Sequence, residues 1–359
     1  MDRTRLRNMW IISATVLMAV LTITTGSLAA PPTKENPIVW KVETPWPLAT
    51  WLHKDAQIWG KDIEEMSGGR MKIQLYCADE LVPPFEIFNA VRTGTLDAGH
   101  TWAGYNIGKF PALTMMAATP AFMDLLGYIA WMQAGGGKEL WQEIYGDSVV
   151  VYPAAVTFAE TGGWSNKKIE SLNDFKGLKY RTVLIWGQIL SELGASVVTL
   201  PGGDIVPSLQ RKTIDAAEFS TPAIDLPLGF YEVAKYNYYP GLHQIACYEE
   251  LLINPKKWEA LPDDLKAIVR RACDASLSRA LPQFLIDDCK AVQTFREKGT
   301  GIMKFPKEMQ QEIMERFLKK YDNYPDPMFQ KVWASQKAFI KLYNPYMKLQ
   351  TVEADVEIK

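Results

Sequence analysis

The sequence predicts an α/β fold in which two similar lobes are joined by a hinge and enclose a ligand cleft, with further helices at the C-terminus. Strand and helix patterns alternate over residues 38–99, and the same alternation returns over residues 148–217. Each stretch contains a related tetrapeptide, TLDA at 95–98 and TIDA at 213–216. The chain of 359 residues also exceeds the size of one ordinary hydrophobic core. These three observations together indicate two lobes.

The first lobe begins with a strand–helix–strand–helix–strand order. Apolar residues recur at helical spacing after Leu52, and the glycines Gly68 and Gly69 end that helix. We expect a mostly parallel sheet whose ligand edge lies at the carboxyl ends of its strands. The predicted elements are the strands Ile38–Val42, Met71–Leu75 and Leu96–Gly99 and the helices Leu52–Met66 and Pro84–Thr93.

The second lobe repeats this order, and the chain then crosses back. A strand at Cys247–Asn254 is predicted to return toward the first lobe. Repeated crossing between lobes makes a hinge, so closure around a ligand is the expected motion. The predicted elements of the second lobe are the strands Ser148–Ala155, Gly177–Thr182, Val197–Leu200 and Ile214–Ala217 and the helices Ile185–Gly194 and Asp204–Arg211.

The C-terminal part of the chain is predominantly helical. A long helical pattern runs from Asp263 to Lys298, and we expect an interruption near Pro282, where the backbone lacks a donor. Further helices are predicted at Lys307–Lys320 and, with an apolar stripe, at Asp326–Tyr343. The expected boundaries place lobe I at 31–155 and 245–300, lobe II at 156–244 with part of 260–320, and a C-terminal helix and tail at 321–359.

The first 30 residues have the pattern of a secretory signal peptide. A basic start is followed by an apolar run at 9–23, and small residues precede a cleavage site predicted after Ala29 or Ala30. The alternative is an uncleaved membrane anchor. The apolar run is short for a span of roughly 20 residues, which favours the signal peptide.

Charge and motif content exclude several classes of function. The 39 basic and 41 acidic residues give a net charge of −2 without a basic block, so nucleic acid is not an expected partner. No C-x-x-C occurs and the three histidines are scattered, so no zinc motif is present. Cys77 and Cys247 both lie in strand-like segments and could form a disulfide, which the sequence leaves open.

One cation and one acid are placed at the ends of predicted strands. Arg181 lies at the end of the strand Gly177–Thr182, and Glu218 follows the strand Ile214–Ala217. A cation and an acid brought together from separate strand ends suit a small anionic ligand, held directly or through a metal ion.

Short motifs follow one another along residues 40–349, namely SGGRMKI at 67–73, PFEIFNAV at 84–91, GKFPA at 108–112, TGGW at 161–164, GLKYR at 177–181, LPGGD at 200–204 and IDAAE at 214–218. In this order and spacing they resemble the extracytoplasmic solute-binding proteins of tripartite ATP-independent periplasmic (TRAP) transporters. The resemblance is greatest to the branch that binds 2-oxo and 2-hydroxy monocarboxylates. It implies a periplasmic binding protein-like fold, a periplasmic location and a binding protein rather than an enzyme.

The resemblance also implies roles for individual residues of the cleft. Arg181 would pair with the substrate carboxylate, because its guanidinium offers two parallel donors and stays charged. Glu218 and the backbone carbonyl of Phe219 would coordinate a cation that touches the substrate. Glu160, just before TGGW, stands where the family places a third ligand, which also contacts the substrate. Glu250 on the returning strand is a further acidic candidate.

Calcium is the ion that this set of residues favours, with sodium as the alternative. Ca²⁺, Glu160, Glu218, Arg181 and a monoanionic ligand have a formal charge sum of about zero, as buried charges require. The resemblance further implies that Tyr105, Trp164 and Trp186 line the substrate pocket. Trp186 stands where a smaller residue is usual, so it would narrow the pocket.

The sequence therefore predicts a periplasmic protein that traps a small 2-oxo or 2-hydroxy monocarboxylate, such as pyruvate or lactate, and delivers it to TRAP membrane permease subunits. The C-terminal stretch MFQKVW at 328–333 resembles a helix that forms homodimers in relatives, so a homodimer is expected. Two alternatives remain open from the residues alone. One is a periplasmic metal-dependent enzyme acting on the same acid, and the other is a receptor that presents its ligand to a signalling partner.

Overall fold

The computed structural model describes residues 31–351, so the predicted signal peptide at 1–30 lies outside the described residues. Two six-stranded sheets flanked by helices form the two predicted α/β lobes. The strands are β1 Ile38–Glu43, β2 Met71–Tyr76, β3 Ala98–Thr101, β4 Ala118–Thr119, β5 Val150–Thr157, β6 Gly163–Ser165, β7 Lys179–Arg181, β8 Ser196–Val198, β9 Ala216–Ala217, β10 Tyr236–Tyr239, β11 Ala246–Ile253 and β12 Gly301–Lys304.

The helices comprise α-helices and short 3₁₀ turns. The α-helices are α1 Trp51–Met66, α2 Ile87–Thr93, α3 Thr114–Ala117, α4 Leu125–Ala134, α5 Gly137–Tyr145, α6 Leu184–Glu192, α7 Gly202–Gln210, α8 Pro222–Asp225, α9 Phe230–Val233, α10 Pro255–Glu259, α11 Asp263–Glu297, α12 Lys307–Asp322 and α13 Pro327–Gln350. The 3₁₀ turns lie at Pro84–Glu86, Ala103–Asn106, Pro111–Leu113, Leu172–Phe175 and Leu226–Leu228. None of the described helices combines the length and apolar character needed to cross a membrane.

Both sheets are mixed rather than mostly parallel, so the predicted strand directions are only partly right. In the first sheet β2, β1 and β3 are parallel, whereas β11 runs antiparallel to β3, β4 and β5. In the second sheet β8, β7 and β9 are parallel, and β6 is antiparallel to both β9 and β10. The antiparallel pairs involve β6 and β11, where the chain enters a sheet from the other lobe. Local periodicity does not indicate the direction in which such a strand runs.

Two short strands escaped sequence prediction because their residues are buried on both faces. β4 and β6 are two and three residues long and completely buried, so they show no alternation of apolar and polar residues. The strands β10 and β12 and the helix α4 were missed as well. The remaining predicted strands and the longer helices are confirmed within a few residues at each end, except that α13 continues to Gln350, seven residues beyond its predicted end at Tyr343.

The helix α11 is continuous through Pro282, so the predicted interruption is wrong. It has 35 residues and a length of about 52 Å. Ala280 and Phe284, on either side of the proline, are fully buried. Burial of both neighbours compensates for the one backbone hydrogen bond that proline removes.

The same helix packs against both lobes and so links them. Near its N-terminus, Leu265 and Val269 belong to the apolar cluster around β1 and α1. Near its C-terminus, the Phe295 ring meets Trp164 of the second lobe edge-to-face, with ring centroids 4.9 Å apart. A long helix shared by both lobes limits the directions in which they can move relative to each other.

The C-terminal helix α13 packs on its own chain over its first half. Phe329, Val332 and Trp333 are buried, and Trp131 Nε1 donates a hydrogen bond to Ser335 Oγ at 3.2 Å. The second half leaves large apolar side chains exposed, at Leu342 (75 %), Tyr346 (58 %) and Leu349 (83 %). All four cysteines are free, so Cys77 and Cys247 form no disulfide.

The joint between α11 and α1 can be tested at two adjacent residues. Phe284 is fully buried with its ring centroid 4.0 Å from that of Trp51, whereas Leu285 is 47 % exposed. We expect Phe284→Ala to lower the free energy of unfolding by about 3–5 kcal/mol, because a buried aromatic ring leaves a cavity. Leu285→Ala should change it by no more than about 0.5 kcal/mol. Urea denaturation measures both, and equal effects of the two variants would contradict this packing.

Candidate functional site

The carboxyl ends of β7 and β9 bring the predicted cation and acid together. The two strands are parallel, with Arg181 opposite Ala217, so Glu218 follows directly beside the arginine. Arg181 Nη1 lies 3.2 Å from Glu218 Oε1, and both side chains are buried. The predicted pairing of these strand ends is therefore present in the structure.

Backbone carbonyls hold the Arg181 guanidinium in a fixed orientation. Its Nε and Nη2 donate hydrogen bonds to the carbonyl oxygen of Leu200 at 3.1 and 3.0 Å, and its Nη1 donates to the carbonyl oxygen of Glu218 at 2.7 Å. The Phe219 ring lies below the cation, with its centroid 5.7 Å from Arg181 Cζ. With the Glu218 carboxylate, these contacts occupy four of the five N–H donors, and one Nη2 donor remains.

Glu160 reaches the same place from the loop between β5 and β6. Its carboxylate accepts a hydrogen bond from Gln244 Nε2, and its other oxygen lies 3.3 Å from His243 Nε2. The segment that carries both partners passes close to Glu160. A Cβ atom at Gly241 would collide with the Glu160 carbonyl oxygen, so only glycine allows this approach.

Glu160, Glu218 and His243 form a cluster that can hold a metal ion. One ligand atom from each residue lies within 4.8 Å of the others, and all three residues are buried. Although His243 Nε2 lies 3.3 Å from that Glu160 oxygen, it forms no hydrogen bond with any of the described residues. Burial lowers the pKa of His243 to about 4, so the imidazole is neutral and its lone pair can bind a metal. His243 was not predicted, because its sequence neighbours carry no metal motif.

The electrostatics of this cluster favour a bound cation. Burial, and next the neighbouring Glu218 and Asp225 carboxylates, raise the pKa of Glu160 well above its usual range. Burial also raises the pKa of Asp225. Arg181 is the buried cation beside these acids, and a metal ion bound among them would stabilise their ionised forms. The donor set therefore fits an ion.

A small cavity lies between the lobes next to these groups. Its accessible volume is about 30 Å³, which is enough for roughly two water molecules. The described chain is thus in a closed form, and a ligand larger than this requires the lobes to separate. The lining residues are Trp46, Leu52, Trp102, Tyr105, Cys247 and Glu249 from the first lobe, with Glu160, Arg181, Val183, Glu218, Phe219, Ser220 and Gln244 on the opposite side.

Tyr105 lines the cavity where the sequence predicts a pocket residue, but Trp164 and Trp186 do not. Trp164 lies behind the site, where its Nε1 donates to Asp225 Oδ2 at 2.6 Å. The ring of Trp186 stacks on His243, with centroids 5.7 Å apart, so it supports that imidazole. The prediction that these tryptophans line the pocket is therefore corrected. Trp164 contacts the Asp225 carboxyl group and Trp186 contacts the His243 imidazole, both outside the cavity lining.

Glu250 lies on the opposite face of β11 from the cavity, so its prediction as a metal ligand is wrong. Its carboxyl accepts hydrogen bonds from Tyr145 Oη at 2.9 Å and from Trp141 Nε1 at 3.2 Å. Alternate residues of a strand share a face, so Cys247 and Glu249 line the cavity. The sequence contained this signal, because the alternation places Glu249 and Glu250 on different faces.

The buried position of Glu250 has a consequence for the pH dependence of stability. Burial raises its pKa from 4.5 to about 8, so the folded chain keeps a proton that the unfolded chain releases. The contribution of Glu250 to stability is therefore complete below about pH 4.5 and declines as the pH rises toward 8, by at most about 1.4 kcal/mol per pH unit.

We expect Glu250→Gln, which mimics the protonated acid, to flatten the profile of unfolding free energy between pH 5 and 8. Urea denaturation at a series of pH values measures this profile. Profiles of equal slope for the variant and the native chain would contradict a protonated Glu250.

Comparison with known proteins places the chain in a family. A family model described as bacterial extracellular solute-binding protein, family 7, matches residues 43–326. A monocarboxylate 2-oxoacid-binding periplasmic protein of Nostoc sp. is 34% identical over 305 residues, which is 84% of each chain.

Three crystal structures of TRAP solute-binding proteins share the fold and about the same degree of sequence identity. The protein of Bordetella bronchiseptica, a mixed-occupancy dimer with calcium and picolinate, has a TM-score of 0.84 at 29% identity and covers 87% of this chain and 94% of its own. The protein of Colwellia psychrerythraea, with calcium and pyruvate, has a TM-score of 0.83. The protein of Pseudoalteromonas atlantica, with sodium and pyruvate, has a TM-score of 0.79. Both are 27% identical to this chain, and each match covers 87% of this chain and 97% of the other. This family binds solutes and is not one of enzymes, which removes the enzyme alternative. The chain belongs to family 7 of the bacterial extracellular solute-binding proteins, those of TRAP transporters.

Proposed function

We propose that this protein captures a small 2-oxo or 2-hydroxy monocarboxylate in the periplasm and delivers it to TRAP membrane permease subunits. The observation that carries the proposal is the buried guanidinium of Arg181 beside the cluster of Glu160, Glu218 and His243, at a cavity between two lobes. Two relatives are named as periplasmic proteins, which supports the periplasm as the location of this protein.

Arg181 is the proposed clamp for the ligand carboxylate. One Nη2 donor is free, and Nη1 is shared with Glu218 Oε1. A carboxylate that binds in the bidentate manner would use the free donor and compete with Glu218 for Nη1. Movement of Glu218 toward a metal ion would release that donor, so the ion and the carboxylate should strengthen each other's binding.

The ion would be held by the carboxylates of Glu160 and Glu218, with the backbone carbonyl of Phe219 as a further ligand. These oxygen donors suit Ca²⁺, the proposed ion, with Na⁺ as the alternative. When bound, the ion supplies positive charge that coordinates the carboxylate and the adjacent 2-oxygen of the ligand. Pyruvate and picolinate, found with metal in related proteins, both carry a second donor atom next to a carboxylate. The His243 imidazole would add a nitrogen ligand to this set of oxygens. Nitrogen ligands suit transition metals better than they suit Ca²⁺.

Closure of the lobes would complete the site. Tyr105 and its neighbours come from the first lobe, whereas Arg181 comes from the second, so the ligand contacts both only in the closed form. The closed form would present one continuous surface to the permease. This gives the permease a means to distinguish loaded protein from empty protein.

A homodimer is also part of the proposal. The second half of α13 exposes Leu342, Tyr346 and Leu349 on a helix whose first half is packed on its own chain. Exposed apolar side chains in a group commonly mark a protein contact. A second copy of this chain is the proposed partner, in agreement with the dimer reported for the Bordetella relative.

The clamp and the ion are tested by titrating the purified chain with pyruvate. We expect binding in Ca²⁺ that is lost in sodium-free EDTA and that returns when Ca²⁺ is restored. Arg181→Lys should weaken binding at least about 100-fold, because lysine is a point charge without the bidentate fork. Isothermal titration calorimetry measures both effects.

Arg316→Lys is the matched control, because Arg316 pairs with Glu312 on the exposed face of α12. It should bind pyruvate as the native chain does. Restoration by Na⁺ alone would identify sodium as the ion, and unchanged binding in sodium-free EDTA would contradict a metal. Native affinity in Arg181→Lys would contradict the clamp.

The dimer is tested with Leu349→Glu, which puts a charge on the exposed apolar end of α13. We expect light scattering to give twice the chain mass for the native protein and the single chain mass for the variant, because a buried unpaired charge opposes association. Leu318→Glu, at a residue 43% exposed on α12, is the control and should remain dimeric. A single chain mass for the native protein would contradict the dimer.

A further inference from the structure

Glu249 is an acid of the first lobe that faces the cavity, and its carboxyl group has no partner among the described residues. It lies on β11, on the same face as Cys247, and it is only 3% exposed. Across the cavity, the opposite wall carries Arg181 and Glu218. Glu249 is thus the first-lobe acid that faces the proposed binding groups of the second lobe.

Neither carboxyl oxygen of Glu249 takes part in a hydrogen bond or ion pair with residues 31–351, and Oε2 is completely buried without a partner. The adjacent Glu250 is the opposite case, because Tyr145 and Trp141 satisfy its carboxyl from the protein side. Buried polar groups without partners are rare in folded proteins and call for a ligand, water or ion. The Glu249 carboxyl group is therefore available for hydrogen bonds with a ligand that enters the cavity.

The placement of Glu249 restricts which part of a ligand it can meet. In the proposed function, the second lobe binds the ligand carboxylate through Arg181 and the 2-oxygen through the ion. The rest of the ligand then points toward the first lobe. The wall there is apolar at Trp46, Leu52 and Trp102, and Glu249 provides a carboxyl group among them.

We propose that the ligand carries a hydroxyl group on its third carbon, which forms hydrogen bonds with Glu249. The ligand class is then that of 3-hydroxylated 2-oxo and 2-hydroxy acids, for which hydroxypyruvate and glycerate are the smallest probes. This inference rests on the proposed function, since the carboxylate must be bound by Arg181. A methyl group in the same place, as in pyruvate or lactate, would leave both oxygens of Glu249 unpaired after closure.

The surroundings of Glu249 support this match. Burial, and next the negative charges of Asp55 on α1 and of Glu250, raise the pKa of Glu249 well above its usual range. Tyr105, Cys247 and Arg181 face the same cavity, and Arg181 is already paired with Glu218. A neutral carboxylic acid can both donate and accept a hydrogen bond, and a hydroxyl group can do the same.

The test compares two pairs of acids that differ by a single hydroxyl group, hydroxypyruvate with pyruvate and glycerate with lactate. Calorimetric titration of the full chain in Ca²⁺ gives the affinity ratio within each pair. In the native chain we expect the hydroxylated acid to bind at least about 10-fold more tightly. Glu249→Leu should reduce the ratio to about one, whereas Glu249→Gln, which keeps a donor and an acceptor, should preserve the preference.

Glu250→Gln is the matched control, since it changes the neighbouring acid on the other face of β11 and should leave both ratios unchanged. Ratios near one in the native chain would overturn the inference without any variant. A Glu249-dependent preference for alanine over lactate would also overturn it, because Glu249 would then pair with an ammonium group at the second carbon. Failure of all four acids to bind would instead contradict the proposed function.

Discussion

The burial of the Arg181 guanidinium beside the Glu218 carboxylate is the interaction on which the site depends. A buried charge is costly unless it is paired and hydrogen-bonded, and here two carbonyl groups and one carboxylate receive four of its hydrogen bonds. These contacts fix the cation at the carboxyl ends of β7 and β9. They also leave Glu160 beside Glu218 without a cation of its own. An anion and a metal ion are therefore complementary additions to the same centre.

The two lobes contribute different chemistry to the cavity. Arg181 and Glu218 come from the second lobe, and Glu160 and His243 come from segments that connect the two lobes. The first lobe supplies tryptophans, Tyr105 and Glu249. The helix α11 packs against both lobes and so links them. In the described form the cavity is too small for a ligand of several atoms, so the lobes would have to separate for capture and close around the ligand less tightly than here.

The errors of sequence prediction at the site concern side-chain direction. Glu249 and Glu250 are adjacent acids in an apolar strand, and only one of them faces the cavity. Trp164 and Trp186 lie near the site in sequence but pack behind it, against Asp225 and His243. Large aromatic rings contribute much of the packing energy of protein cores, so burial alone does not indicate a pocket wall. Resemblance to a family indicates a position along the chain, but it does not show which way the side chain points.

The sequence was enough to predict the α/β class, the two lobes, most strand and helix positions, and the meeting of Arg181 with Glu218. These follow from local periodicity and from the rule that parallel strands end at one edge of a sheet. Contacts in the folded chain were needed to establish the antiparallel course of β11, the continuity of α11, and the placement of His243 and Glu249. Each of these depends on contacts between segments far apart in the chain, where register and packing, rather than local pattern, set the direction of a strand or a side chain.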